Sequence, residues 1–222
     1  MNLRFINTKM KTMRLGLAAV AIALATMGAQ AQTQKHTDAN VAAGEKAINA
    51  NDFKSAVTHF EKATTTSADD ANVFHLLGLS YYQLGDYKKA NTNFSKAIAL
   101  DAKHSSAYYY RAKANNNLAV NREAKVSAAD RESLLKSAVS DYSKAIALKP
   151  SEKNLYQNRA IANRDLGVLT GTAGTANYNK KTATDAYNAA IADYQKVLSL
   201  DASRKDIQTE VKKATVYRDN LK

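Results

Sequence analysis

Residues that could do chemistry are few and scattered in this 222-residue chain. Its four histidines, His36, His59, His75 and His104, do not stand near one another, or near a carboxylate, at the spacing of metal ligands on one helix face. Asp69-Asp70 has the form of a turn and helix start, not of an acid–base pair. The stretch "GTAGT" (Gly171–Thr175) lacks the preceding strand and the lysine of a phosphate-cradling loop. No G-x-S-x-G and no H-E-x-x-H occurs. Cysteine is absent, which excludes disulfides. These features predict no enzyme, no metal and no cofactor. Recognition is what remains, and it depends on the elements that would carry a binding surface.

Composition points to helices. Proline occurs once and glycine eight times in the whole chain. The formal charge is +12, with Lys and Arg mixed among acids and no dense basic cluster, so a solvated helical surface is expected and nucleic acid is not. Residues 1–31 have the order of a cleavable secretory signal. Arg4, Lys9, Lys11 and Arg14 form a basic region. The apolar core Leu15–Gly28 is short for a bilayer span, and Ala29-Gln30-Ala31 ends it. Cleavage there removes four basic and no acidic residues and leaves +8. No membrane span is expected beyond residue 31, and the mature chain is expected in the periplasm or outside the cell.

The chain repeats itself. Asn93–Ala112 reads "NFSKAIALDAKHSSAYYYRA", and Asp141–Ala160 reads "DYSKAIALKPSEKNLYQNRA", with nine positions identical. An earlier pair of copies is more regular. Gly44 and Gly78, Phe53 and Tyr87, Ala56 and Ala90, Phe60 and Phe94, and Ala63 and Ala97 are each 34 residues apart. The second copy reads Phe74-x2-Leu77-Gly78-x2-Tyr81, then Ala90-x3-Phe94. This closely resembles the tetratricopeptide repeat (TPR), whose pattern is W-x2-L-G-x2-Y followed by A-x3-F. The resemblance covers about residues 37–204. It implies an all-α solenoid of about four helix hairpins, each an A helix and a B helix. Repeats are expected at 37–70, 71–104, 105–152 and 153–204, after a short linker at 32–36. A capping helix is expected over 205–222, because Ile207, Val211 and Ala214 share one face.

Two insertions interrupt the period. Phe94 and Tyr142 lie 48 residues apart, and Tyr142 and Tyr194 lie 52 apart. Both insertions fall between the A and B helices of their repeats, so both should emerge on one edge of the solenoid. In the first, Ser127 is an expected N-cap for a helix over Ala128–Leu148. In the second, Gly167–Thr184 reads as a loop, with Thr182 and Asp185 starting the next helix. The insertions read either as a contact surface or as drift at exposed turns.

In the resembled family, A-helix residues line a concave groove that holds a protein or peptide. The resemblance therefore implies a groove that includes His75, Tyr82, Tyr109, Lys113, Asn116, Asn154, Gln157 and Arg164. Amides can pair with a peptide backbone and tyrosines can pack on its side chains. The family's carboxylate clamp, a Lys-x3-Asn in the first helix, is absent from "NVAAGEKAINA". The resulting expectation is a non-enzymatic scaffold or adaptor of the cell envelope that captures a protein or peptide. A self-associating structural subunit and a cell-wall polysaccharide accessory are the alternatives. N-terminal sequencing of the exported protein should begin at Gln32; a chain still starting upstream of residue 20 would contradict the signal reading.

Overall fold

The computed structural model describes residues 38–221. The expected signal segment, 1–31, and the linker, 32–36, lie outside the described residues. Among the described residues nine helices succeed one another. They are α1 (Ala39–Asn49), α2 (Phe53–Thr66), α3 (Ala71–Gln83), α4 (Tyr87–Leu100), α5 (Ser105–Val120), α6 (Ala128–Leu148), α7 (Lys153–Gly171), α8 (Lys180–Leu200) and α9 (Lys205–Asp219). Packing runs between sequence neighbours, so the helices form four antiparallel hairpins closed by α9. This is the expected all-α solenoid with a C-terminal capping helix.

Local chemistry starts these helices. The Asp38, Asp52, Asp70 and Asp86 side chains accept hydrogen bonds from the free N–H groups opening α1 to α4. A carboxylate there also faces the positive end of the helix dipole. Ser127 caps α6 by accepting from the Asp130 N–H, as expected. The two short hairpin turns use equivalent residues, Asn51 and Gly85, in the left-handed region at φ 58° and 81°. Asn and Gly are the residues that tolerate it.

Each hairpin closes on a small residue under a ring. A Cβ added at Gly44 would lie 2.7 Å from the Phe60 ring, and one at Gly78 would lie 2.8 Å from Phe94. Ala112 packs in a cluster with Tyr142, and Ala160 packs with Tyr194. The helix axes come this close because nothing larger intervenes.

The repeated twenty-residue segments build one joint twice. The Arg111 guanidinium forks onto the Asp141 carboxylate at 2.8 and 2.7 Å and donates to Ser95 Oγ at 3.0 Å. Arg159 forks onto Asp193 at 2.8 Å twice and donates to Ser143 Oγ at 2.9 Å. Each arginine thus ties its A helix to its own B helix and to the preceding B helix. Both aspartates are buried, and bidentate charged bonds of this kind are the stronger ones. The identical Ser and Arg positions of the two segments are therefore a polar clasp, and the identical alanines are packing.

The insertions are mostly helix. The first adds fourteen residues to the period: three lengthen the A helix, four the turn and seven the B helix. Ala119 stands seven residues past Ala112, Leu135 stands seven before Tyr142, and both are buried in one cluster. In the second, Gly167 stands seven past Ala160 and Tyr187 seven before Tyr194. A Cβ at Gly167 would lie 2.9 Å from the Tyr187 ring, so the small-residue contact recurs a heptad further out. This corrects the loop reading of Gly167–Thr184: α7 runs to Gly171, α8 begins at Lys180, and only residues 172–179 are non-helical. Gly167 is a packing glycine, not a turn glycine. The helix start also shifts, since Asn179 is the N-cap and accepts from the Thr182 N–H. The two insertions do share an edge. Asn177 Nδ2 donates to the Ala128 carbonyl at 3.1 Å and to Glu132 Oε2 at 2.7 Å.

Ala97 and Ala145 are fully buried, at equivalent places on α4 and α6. Ala97→Leu and Ala145→Leu should each lower stability by about 1–3 kcal/mol through overpacking. An exposed Lys→Ala change should stay within about 0.5 kcal/mol. Urea midpoints at constant m-value measure both.

Candidate functional site

The A helices stand side by side, and their side chains meet across a shared face. Asn117 Nδ2 of α5 donates to the Tyr82 hydroxyl of α3 at 2.9 Å. Asn116 Nδ2 donates to Asp165 Oδ2 of α7 at 3.1 Å. Asn158 of α7 reaches the Tyr109 hydroxyl of α5 at 3.5 Å, and Asn154 stands beside the same hydroxyl. Arg164 of α7 pairs with its neighbour Asp165 at 2.9 Å and with Glu210 of α9 at 3.2 Å. The Gln157 amide oxygen accepts from Arg204 at 3.2 Å.

At the centre of this face three tyrosines enclose an ammonium. The Lys113 Nζ lies 5.3 Å from the Tyr82 ring centroid, 5.5 Å from Tyr109 and 5.7 Å from Tyr110. The rings brace one another edge-on, with Tyr82 and Tyr110 at 5.8 Å and Tyr109 and Tyr110 at 5.0 Å. Ring faces attract a cation, and the attraction grows as water is excluded. Lys113 has no ion pair or hydrogen bond with any other described residue. Burial alone lowers its pKa. Burial also pushes the Tyr82 hydroxyl up to about 12 and raises Tyr109. Both phenols stay neutral, so neither supplies the ammonium with an anion.

The expected groove residues therefore divide by environment. Tyr82, Tyr109 and Lys113 come together, joined by Tyr110, which the repeat register does not place on the groove. Asn116, Gln157 and Arg164 lie on the A-helix face but spend polar atoms on internal partners. Asn154 is exposed. His75 departs from the expectation. It is buried beneath the face, with ring centroids 4.7 Å from His104, 5.8 Å from Phe94 and 5.9 Å from Tyr110. Tyr82 and Tyr109 are half-buried and pack on the hydrophobic core, so they also serve stability. Asn117, Asp165 and Glu210 complete the network. Their roles come from contacts between helices 35 to 49 residues apart, which a single repeat does not display.

A model of the family described as "Anaphase-promoting complex, cyclosome, subunit 3" matches residues 49–125. No curated protein matches the sequence significantly. Among solved structures, "MamA 41-end from Desulfovibrio magneticus RS-1" is similar at TM-score 0.60 and 17% identity, over 82% of this chain and 85% of that one. The "MamA RS-1 ArsTM double mutant" is similar at TM-score 0.59 and 16% identity, over 80% and 82%. A further MamA crystal structure has TM-score 0.51 and 19% identity, over 81% and 90%. At these identities the likeness is one of fold. The chain has a TPR-like helical-repeat fold.

The buried His75 makes stability depend on pH. Desolvation, and secondarily the nearby His104, pushes His75 down to about 3; burial also lowers His104, whose charged neighbours are Asp70, Asp101 and Lys149. The unfolded chain binds a proton at about 6.5 that folded His75 excludes, so stability is full above that pH and falls below it. His75 alone should cost about 2 kcal/mol between pH 7 and pH 5. Urea unfolding of wild type and His75→Phe at both pH values checks this: the substitution should flatten the dependence.

Proposed function

We propose that this protein is a non-enzymatic scaffold that holds an extended peptide segment of a partner protein against the face of its A helices. The TPR-like array supports this reading, and one observation carries it: Lys113 is a half-buried cation with no counter-ion among the described residues. Leaving a charge desolvated and unpaired is unfavourable. Three tyrosine faces offset part of that cost, and an arriving carboxylate offsets more, because Coulomb attraction strengthens as water is excluded. The other cations of the face, Arg164, Arg204 and Lys213, already hold Asp165, Asp206 and Glu210. An acidic ligand group is thus directed to one place. The surrounding amides, Asn154 and Gln157 among them, offer acceptors and donors to a peptide backbone. The signal-like residues 1–31 further support a place outside the cytoplasm, in the cell envelope.

Display of random peptides on residues 32–222 tests the reading, with selection on wild type and on Lys113→Gln. Wild type should enrich peptides carrying Asp or Glu, and Lys113→Gln should bind them at least about tenfold more weakly, about 1.4 kcal/mol. Equal enrichment on both proteins, or none on wild type, would contradict it.

A further inference from the structure

The repeat pattern carries the A-helix face only as far as Asn116 and Arg164. The lengthened A helices carry it further. Val120 lies seven residues past Lys113 on α5, and Val168 lies seven past Ile161 on α7. Seven residues are two helical turns, so each valine continues the face of the residue before it. The two occupy equivalent places, each eight residues past the small residue that meets its B-helix ring, Ala112 or Ala160. Their predecessors, Ala119 and Gly167, are buried against the inserted parts of α6 and α8. Val120 and Val168 are themselves 47% and 48% exposed. On α9, Val216 takes the place that Arg164 holds on α7 and is also exposed. The face is therefore polar and cationic around Lys113 and aliphatic at the end built by the insertions. Exposed valines two turns along the face from an ammonium add an apolar requirement to the charge requirement.

We infer that the ligand is an extended segment with two anchors, a carboxylate on Lys113 and a bulky aliphatic side chain against Val120 and Val168, about three residues apart. This rests on the proposed groove and specifies what it holds. The Lys113 and Val120 backbones stand two helical turns apart on α5, a rise of about 10 Å. A polyproline II segment rises about 3.1 Å per residue and returns to the same face every third residue, so residues i and i+3 lie about 9 Å apart on one side. A flat β-strand meets the same span poorly, because its same-face positions fall at about 6.6 or 13 Å. The favoured patterns are acid-x-x-aliphatic, or its reverse if the chain runs the other way. The insertions thereby lengthen the binding face.

Fluorescein-labelled peptides on a Pro/Ser background test it, read by anisotropy against residues 32–222. The panel contains Glu-x-x-Leu, Leu-x-x-Glu, Glu-x-Leu, Glu alone and Leu alone. One of the two i,i+3 peptides should bind at least about tenfold more tightly than any of the last three, about 1.4 kcal/mol. Val120→Asn with Val168→Asn, both at exposed positions, should remove that advantage and leave the Glu-only peptide unchanged. Lys113→Gln should reduce the i,i+3 peptide to the Leu-only level. If the double valine variant binds the whole panel like wild type while Lys113→Gln weakens it, the second anchor is refuted and the groove reading stands. If the i,i+3 peptides have no advantage while displayed acidic peptides still need Lys113, the spacing is refuted and the groove stands. If Lys113→Gln changes neither panel nor display, both fail.

Discussion

Close approach of two helices across one small residue governs this molecule. Gly44 under Phe60 and Gly78 under Phe94 bring the A and B helices so near that a single methyl group would strike the ring. Alanine serves in the third and fourth hairpins, where Ala112 and Ala160 have no side-chain exposure. Once that separation is set, the remaining packing has little freedom. The ring fills the hairpin, and Phe94 also stacks on Tyr110 of the next A helix, so one hairpin packs on the next. The arginine clasps then fix how far one hairpin turns on the next. They span three helices at once, and replacing either partner would strand the other in a half-buried place.

The same constraint explains why the long hairpins are stable. An insertion of arbitrary length would put side chains of unmatched size across the gap. Here the first insertion keeps the match, so a small residue again meets a large one, Ala119 with Leu135. The second repeats the glycine-and-ring form with Gly167 and Tyr187. The extended arms share a buried cluster of Ala119, Leu135, Leu166 and Ala186. Asn177 then fastens one extension to the other. The A-helix face is consequently longer in the third and fourth hairpins than in the first two, and its character changes along its length.

Much of the fold was legible because the 34-residue period samples positions whose size is constrained locally: Gly78, Ala90, Phe94, Ala97. Ser127 was legible as a cap because capping acts over three residues. The second insertion was misread for a related reason. Glycine and threonine in series resemble a turn when the neighbours in sequence are the only context, and the reason for Gly167 is a ring twenty residues away. The candidate site was legible only in part. The register placed Tyr82, Tyr109 and Lys113 on one face. It could not show that Tyr110 is the third wall, that Arg164 is already neutralised, or that His75 lies under the face. Each of those depends on which residues of other helices lie within a few ångströms, and the period says nothing about that.

The proposed recognition at the A-helix face turns on Lys113 receiving the ligand. A two-dimensional NMR titration of isotopically labelled residues 32–222 with the tightest displayed acidic peptide tests this most directly. The Lys113 side-chain ammonium resonance and the amides of α3, α5 and α7 should shift together, saturating at one peptide per chain. Shifts confined to residues 121–127 and 172–179, with Lys113 unmoved, would contradict it and place recognition on the inserted turns instead.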